Sequence, residues 1–337
     1  LSTSLSDGNL MEKKRILSGL RPTGKIHLGH LVGVLLNWVK LQDDYDCFYT
    51  IVDYHALTTD YADTSRIKEY VFEVAVDWLS VGLDPNRSTL FIQSHVLEHA
   101  ELHLLLSMIV PIPWLERVPS YKEQQRELTD RDLSTYGFLG YPLLQTADII
   151  IYKANYVPVG EDQVPHVELA REIVRRFNNF FRPVFPEPEV LLTKTPRLLG
   201  LDGRKMSKTY ENFINISDEP EVIHHKVMSM FTDPQRIRKN DPGRPHLCNL
   251  FSYHKLFAPD AKLKQIESDC QKGIIGCTDC KEHLARQLTD ALSPYQEKRR
   301  RYLSQPDLVH EVLSQGAKKA RAVASATMAE VKEAMGI

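Results

Sequence analysis

The 337-residue sequence predicts an α/β fold, a doubly wound parallel sheet followed by an all-helical C-terminal part. Three observations carry this. Through the first half, short apolar runs rich in β-branched and aromatic residues alternate with helical patterns, the β–α–β order of a parallel sheet. The first of these runs leads into a glycine-rich turn that opens a helix, GLRPTGKIHLGH from Gly19 to His30. From Glu219 to the end the pattern is helical only.

Taken in order, Arg15–Gly19 is the first strand. Gly19 and Gly24 permit backbone angles that a side chain forbids, and Pro22 stiffens the turn between them. Gly29 removes a side chain where a ligand has to come close. The helix Leu28–Leu41 then offers free N–H groups and a partial positive charge, which suit a phosphate. His27 and His30 are three apart and face the same way on a first helical turn. Cys47–Asp53 is a second strand, and Ser65–Val81 an amphipathic helix ended near Gly82. Thr89–Gln93 is a third strand, and Ala100–Ile109 a helix stopped by Pro111 and Pro113. Tyr121–Asp132 is a charged surface segment. Phe138–Tyr152 is a strongly apolar helix, and Val164–Phe180 another, with Arg171, Arg175 and Arg176 on its outer side. Pro183–Leu192 holds three prolines and a short strand. A domain change falls near 210–217, so that residues 11–210 form a Rossmann-type catalytic domain with a helical insertion and 211–337 a helical domain. Residues 1–10, before Met11, form a loosely held leader.

Composition narrows the function. The formal net charge of −2 sets up no global field, so contacts with nucleic acid have to come from local basic patches. Nothing points to DNA or to a membrane, since no apolar run approaches the length of a bilayer span. Residues 1–15 lack the apolar core of a secretory signal, and five cysteines are too few for a disulfide scaffold. The expected compartment is the reducing cytoplasm.

Three further strings carry chemistry. Asp202 to Thr209, DGRKMSKT, is a polar loop with Lys205 and Lys208 around Met206 and Ser207. By itself it also reads as a solvated charge run. Tyr141, Gln145 and Asp148, spaced four and three, share one face of the apolar helix, and a carboxylate there is costly unless paired. Val157-Pro158-Val159-Gly160-Glu161-Asp162-Gln163 gives a backbone that a nucleotide can approach at Gly160, with acidic residues opening a helix, where capping alone accounts for them.

HLGH and KMSKT, in this order and this far apart, resemble the paired signatures of class I aminoacyl-tRNA synthetases. RPTGKIHLGH, YPLLQTADI, VPVGEDQ and GRKMSK followed by Asn212 follow the order of tryptophanyl-tRNA synthetases of the bacterial type, from about Met11 to the ending AEVKEAMGI. The related tyrosyl enzymes usually carry GSDQ where this chain has GEDQ. The resemblance implies ATP and Mg2+ as cofactors, L-tryptophan and tRNA(Trp) as substrates, and a homodimer. It implies that Asp148 accepts the indole N–H, with Gln145 lining the pocket where methionine is common and Val157 and Val159 in its wall. Tyr141 and Gln163 hold the α-amino group. Arg21, Pro22, Thr23, Gly29 and His30 line ATP, with His27 near the phosphates and His30 standing where many members have asparagine. Gly160, Glu161 and Asp162 meet the ribose and adenine, and Leu198 backs the adenine. Lys205, Met206, Ser207 and Lys208 close on the triphosphate, the two lysines neutralising the pyrophosphate. The tryptophan carboxylate attacks the α-phosphate, and the tRNA terminal hydroxyl then attacks the adenylate.

Cys248, Cys270, Cys277 and Cys280 have the spacing C-x21-C-x6-C-x2-C. Four thiolates could hold structural zinc or a 4Fe–4S cluster. The spacing resembles, within a residue, an iron–sulfur motif in a subset of tryptophanyl-tRNA synthetases, which favours the cluster. Cys47 sits in a core strand as a small apolar residue. Lys281, Arg286, Lys298, Arg299, Arg300 and Arg301 supply positive charge in the part expected to meet the anticodon, although the KRRR run reads equally well as a solvated helix face.

Overall fold

The computed structural model describes residues 13–128, 131–192, 198–204, 206 and 210–337. The leader, Lys205, Ser207 and Lys208 lie outside the described residues. Five strands, β1 (Arg15–Leu20), β2 (Asp46–Ile51), β3 (Ser88–Ile92), β4 (Tyr156–Val159) and β5 (Glu189–Leu192), form one sheet in the order β3-β2-β1-β4-β5. Every pairing is parallel, with Ile16 opposite Cys47 on one side and Tyr156 on the other. The chain winds outward from β1 through β2 to β3, then returns to place β4 on β1's other side. The crevice at the carboxyl ends of β1 and β4 is therefore the switch point, where open α/β sheets bind ligands.

Strand residues alternate between two cores, as a pleated sheet requires. Ile16, Cys47, Tyr49, Ile51, Leu90 and Ile92 enter one buried cluster, and Leu17, Phe48, Phe91, Val157 and Val159 the other. The first cluster continues into the C-terminal half through Ile214, Ile223, Leu284 and Leu288. The last helix, Pro306–Met335, turns back to pack Ala317, Ala320, Ala324 and Met328 into the second.

The helix predicted over 28–41 is continuous, but its middle, Leu31–Leu35, is a π-helical stretch between α-helical ends. The helix ended by Gly82 starts at Ile67, and Gly82 sits at φ 108°, a left-handed C-cap. Two short helices were not read in the sequence. Asp53–Asp60 follows β2 at once, and Ile112–Glu116 begins directly after Pro111. Pro111 and Pro113 thus open a helix as well as ending one, because proline fits a helix's first turn. Glu161–Gln163 is a single 3-10 turn leading into Val164–Phe180.

Candidate active site

At the switch point lies a cavity of about 350 Å3, the size of an amino-acid pocket. Arg21, Tyr141, Gln145, Asp148, Val157, Val159, Gly160 and Gln163, predicted from three separate strings, all line it. Tyr141, Gln145 and Asp148 share one face because the helix Tyr136–Ile150 runs on through Pro142, with Thr135 capping its start by accepting from the Phe138 N–H.

Asp148 is 3% exposed. His99 Nδ1 lies 2.6 Å from its Oδ1, His55 Nε2 lies 2.9 Å from Oδ2, and Gln93 Nε2 donates to both oxygens at 2.8 and 2.9 Å. Burial pushes the carboxyl's pKa up, but His99 and His55 outweigh it and hold the group well below the usual carboxylate range. His99 Nε2 reaches the Tyr152 hydroxyl at 2.7 Å, and Gln93 Oε1 accepts from the Tyr54 N–H at 3.1 Å. The sequence reading missed His55, Gln93 and His99. A carboxylate in an apolar helix signals that partners exist but not where, and these come from 49 to 93 residues away.

Two turns earlier on the same helix face, the Tyr141 hydroxyl lies 2.7 Å from Ser120 Oγ, which lies 2.7 Å from His166 Nε2. Burial raises the Tyr141 pKa, so it stays a neutral phenol. Burial also pushes His166 down to about 4, so its imidazole is neutral at pH 7. Arg21 donates to Thr59 Oγ1 and pairs with Asp60 Oδ2 at 3.4 Å; burial lowers its pKa, opposed by Asp60.

The signature turn stands beside this cavity. His27 is 8% exposed and stacks on His30 with ring centroids 3.8 Å apart. A Cβ added at Gly29 would stand 2.9 Å from His27 Cε1 and 2.9 Å from Met206 Sδ. The turn and the second signature loop therefore touch, although 177 residues separate Gly29 from Met206. The base of that loop is stapled: Asn212 donates to Asp202 Oδ1 at 2.8 Å, and the Leu201 N–H donates to the Asn212 carbonyl at 2.8 Å. A Cβ at Gly160 would lie 2.9 Å from Asp162 Oδ1, so a side chain here would crowd the Asp162 carboxylate. Pro22, Thr23, His27, Gly29, His30, Glu161, Asp162 and Leu198 are not among the residues that line the cavity.

The chain matches, over residues 10–293, the profile of the family described as tRNA synthetases class I (W and Y). It is 52% identical to the tryptophan–tRNA ligase of Thermotoga maritima and 46% identical to that of Aquifex aeolicus. Each alignment covers 96% of this chain, with 99% and 100% of the relative. The chain belongs to the tryptophanyl-tRNA synthetase family. It is an aminoacyl-tRNA synthetase of class I, with the fold of that class. A crystal structure of the Campylobacter jejuni tryptophanyl-tRNA synthetase complexed with ADP and tryptophan superposes with a TM-score of 0.88 at 33% identity, over 96% of this chain and all of the other.

The four cysteines of the helical half are in no disulfide. They lie near enough for Cys248, Cys270 and Cys277 each to push up the thiol of Cys280, which burial first of all drives to about 12. Among the described residues no three His, Cys, Asp or Glu side chains stand close enough to hold a single metal ion. Cys280 Sγ instead lies 3.3 Å from His254 Nε2, and Arg236 Nη1 donates to Cys270 Sγ at 3.6 Å. Of the KRRR run, Lys298, Arg300 and Arg301 are exposed, while Arg299 turns inward.

Proposed function

We propose that the cavity seats L-tryptophan with its indole N–H on Asp148, and that the adjoining turn holds ATP for attack by the tryptophan carboxylate, giving tryptophanyl-adenylate and then tryptophanyl-tRNA(Trp). The carboxylate at the cavity floor carries this reading. An ionised carboxylate offers about four acceptor positions. His55, His99 and the two contacts of Gln93 take about that many, so the indole N–H has to take over one of them, at a carboxylate that lines the cavity. A phenylalanine side chain has no N–H to offer this carboxylate and would set its apolar ring against a buried charge, which disfavours it relative to an indole. Tyr141 and Gln163 take the α-amino group, with Gln145, Val157 and Val159 as walls. The ATP contacts are those of Arg21, Pro22, Thr23, Gly29, His27, His30, Gly160, Glu161, Asp162 and Leu198.

The reaction needs no protein nucleophile. Its requirements are positioning and charge stabilisation as the α-phosphate crowds. Lys205 and Lys208 neutralise the departing pyrophosphate with Mg2+, beside Met206 and Ser207. Support for this comes from Met206 standing at the histidine turn.

The region from 211 on serves as the anticodon-binding domain, with exposed Lys298, Arg300 and Arg301 as its basic surface. Cys248, Cys270, Cys277 and Cys280 hold a 4Fe–4S cluster there, with structural zinc as the alternative. That Cys248, Cys270 and Cys277 all act electrostatically on Cys280 supports a shared group, although among the described residues the side chains as placed do not close on a single ion. A bound cluster would tie three segments of the helical part together. The enzyme works as a homodimer in the cytoplasm. Leu97, Leu104 and Met108, on one face around the helix Glu98–Ser107, are each more than half exposed and support a covered interface; five free cysteines suit a reducing compartment.

One experiment tests the central reading: ATP–pyrophosphate exchange with tryptophan, tyrosine and phenylalanine, on protein whose iron and zinc are measured in the same sample. Exchange is expected with tryptophan alone, with iron near four per chain. Asp148→Ala is expected to erase a preference over phenylalanine on the order of 10⁴. A tyrosine preference, or a selectivity that survives in Asp148→Ala, defeats the pocket assignment; zinc without iron defeats the cluster.

A further inference from the structure

One helix of the C-terminal half, Cys277–Leu303, grips both strands of backbone that build the signature turn. Arg299 near its end donates from Nε to Asp77 Oδ1 at 2.8 Å and pairs with Glu73. Its side chain is 12% exposed and that of Asp77 fully buried. The other oxygen of Asp77 accepts the Ile26 N–H at 3.4 Å, one residue before His27. One turn earlier on the same helix, Gln296 Nε2 donates to the carbonyls of Ile216 and Asp218 at 3.1 and 2.9 Å. These two ends meet. The Leu28 N–H donates to Ile214 O at 2.9 Å, the Ile216 N–H donates to Ile26 O at 3.0 Å, and His27 and Asn215 form an antiparallel bridge. The result is a closed ring running Arg299, Asp77, Ile26, Ile216, Gln296 and back along the helix. Its far side is the histidine turn and the segment that leaves the second signature loop.

We infer that Arg299, with Gln296, is a positioning residue for the nucleotide half of the site. A carboxylate buried as deeply as Asp77 stays in place only while it is paired. With Arg299 present it holds Ile26 and so fixes the turn that carries His27 and His30. Without Arg299 the buried carboxyl loses its counter-charge and takes up a proton, and the turn loses its anchor on the helical half. None of Glu73, Asp77, Gln296 and Arg299 lines the amino-acid cavity. The ring therefore acts on ATP and leaves tryptophan binding alone. It also removes one arginine from the basic run that sequence offers to RNA.

This inference rests on assigning the turn at 27–30 to ATP, and the test separates the two. In the full chain, tryptophan binding is measured by calorimetry, and ATP KM and kcat by pyrophosphate exchange. The variants are Arg299→Gln, Asp77→Asn, their double, Gln296→Ala and His27→Asn. Arg299→Gln and Asp77→Asn are each expected to lower kcat/KM for ATP about tenfold. Tryptophan Kd should stay within about twofold, and the double variant should be little worse than either single, since both break one contact. Gln296→Ala, which leaves the buried charges paired and so folds, should shift ATP parameters in the same direction. If His27→Asn impairs ATP use while Arg299→Gln and Gln296→Ala do not, the positioning role is overturned and the ATP assignment stands. If His27→Asn is silent, the ATP assignment itself is lost. Parallel loss of tryptophan binding and exchange means a purely structural pair, and a defect confined to tRNA charging means an RNA contact; either overturns the inference.

Discussion

Asp148 and His166 sit in the same cavity and are handled in opposite ways. Asp148 is kept charged by two imidazoles and an amide, whereas His166 is kept neutral because burial penalises its charge, with His55 adding and Asp162 opposing. The lowered His166 pKa has a consequence that can be measured. Between about pH 4 and the ordinary value of 6.5, the unfolded chain takes up a proton at this residue and the folded chain does not. Stability from this group is therefore complete above pH 6.5 and is lost as pH falls toward 4, by about 3 kcal/mol. His166→Gln keeps an amide within reach of Ser120 and removes the titration. Urea unfolding between pH 7.5 and 4 should show the parent losing more stability across this window than the variant; equal slopes would remove His166 from the explanation. At this scale the sequence is informative about roles but not about partners. Tyr141, Gln145 and Asp148 are legible because helical spacing puts them on one face. Ser120, His166, Gln93, His55 and His99 carry no local signal, since each matters only through a neighbour distant in the chain.

Among the elements, the last helix depends on one absent side chain. A Cβ on Gly316 would stand 1.8 Å from the carbonyl oxygen of Leu90, so the helix Pro306–Met335 lies directly against edge strand β3. Gly316→Ala should force the helix off the strand and destabilise the fold by about 3 kcal/mol. Gly137, at the start of the helix Tyr136–Ile150, has nothing within 4 Å of a built Cβ, so Gly137→Ala should be neutral or stabilising by up to about 1 kcal/mol. Denaturant midpoints of the two variants make the comparison, and similar values would mean that the close approach carries no energetic weight. Sequence patterning found the first three strands and the long helices before residue 181 to within two residues, since they are set by local periodicity, but it did not read β4 as a strand and gave the C-terminal helices no bounds. It missed Asp53–Asp60 and Ile112–Glu116, which are too short to show a period and are held by packing. It also missed the π-helical stretch of Leu31–Leu35 beside the cavity, because a 3.6-residue pattern does not reveal one wide turn.

For the whole molecule, the proposed dimer is tested at the exposed apolar face of Leu97, Leu104 and Met108. Leu104→Glu together with Met108→Glu should convert a dimer to a monomer in sedimentation velocity while the isolated chain keeps its fold; an unchanged dimer would move the interface elsewhere. The packing of the C-terminal half is also a property of this scale. Ile214, Leu284 and Leu288 join the core beneath β1, and Ala320 and Ala324 join the core on the sheet's other face, so the sheet is enclosed by residues from beyond 210. By itself the sequence determined the parallel sheet, the glycine turn, the polar face at 141–148 and the motifs of the family, because each is written in neighbouring residues or fixed spacings. Only the tertiary structure decided that Met206 meets the turn at Gly29, that Asp148 is braced by His55, Gln93 and His99, and that Arg299 points inward to Asp77. Those contacts join segments from 49 to 222 residues apart, and no local preference encodes which distant partner a buried charge will find.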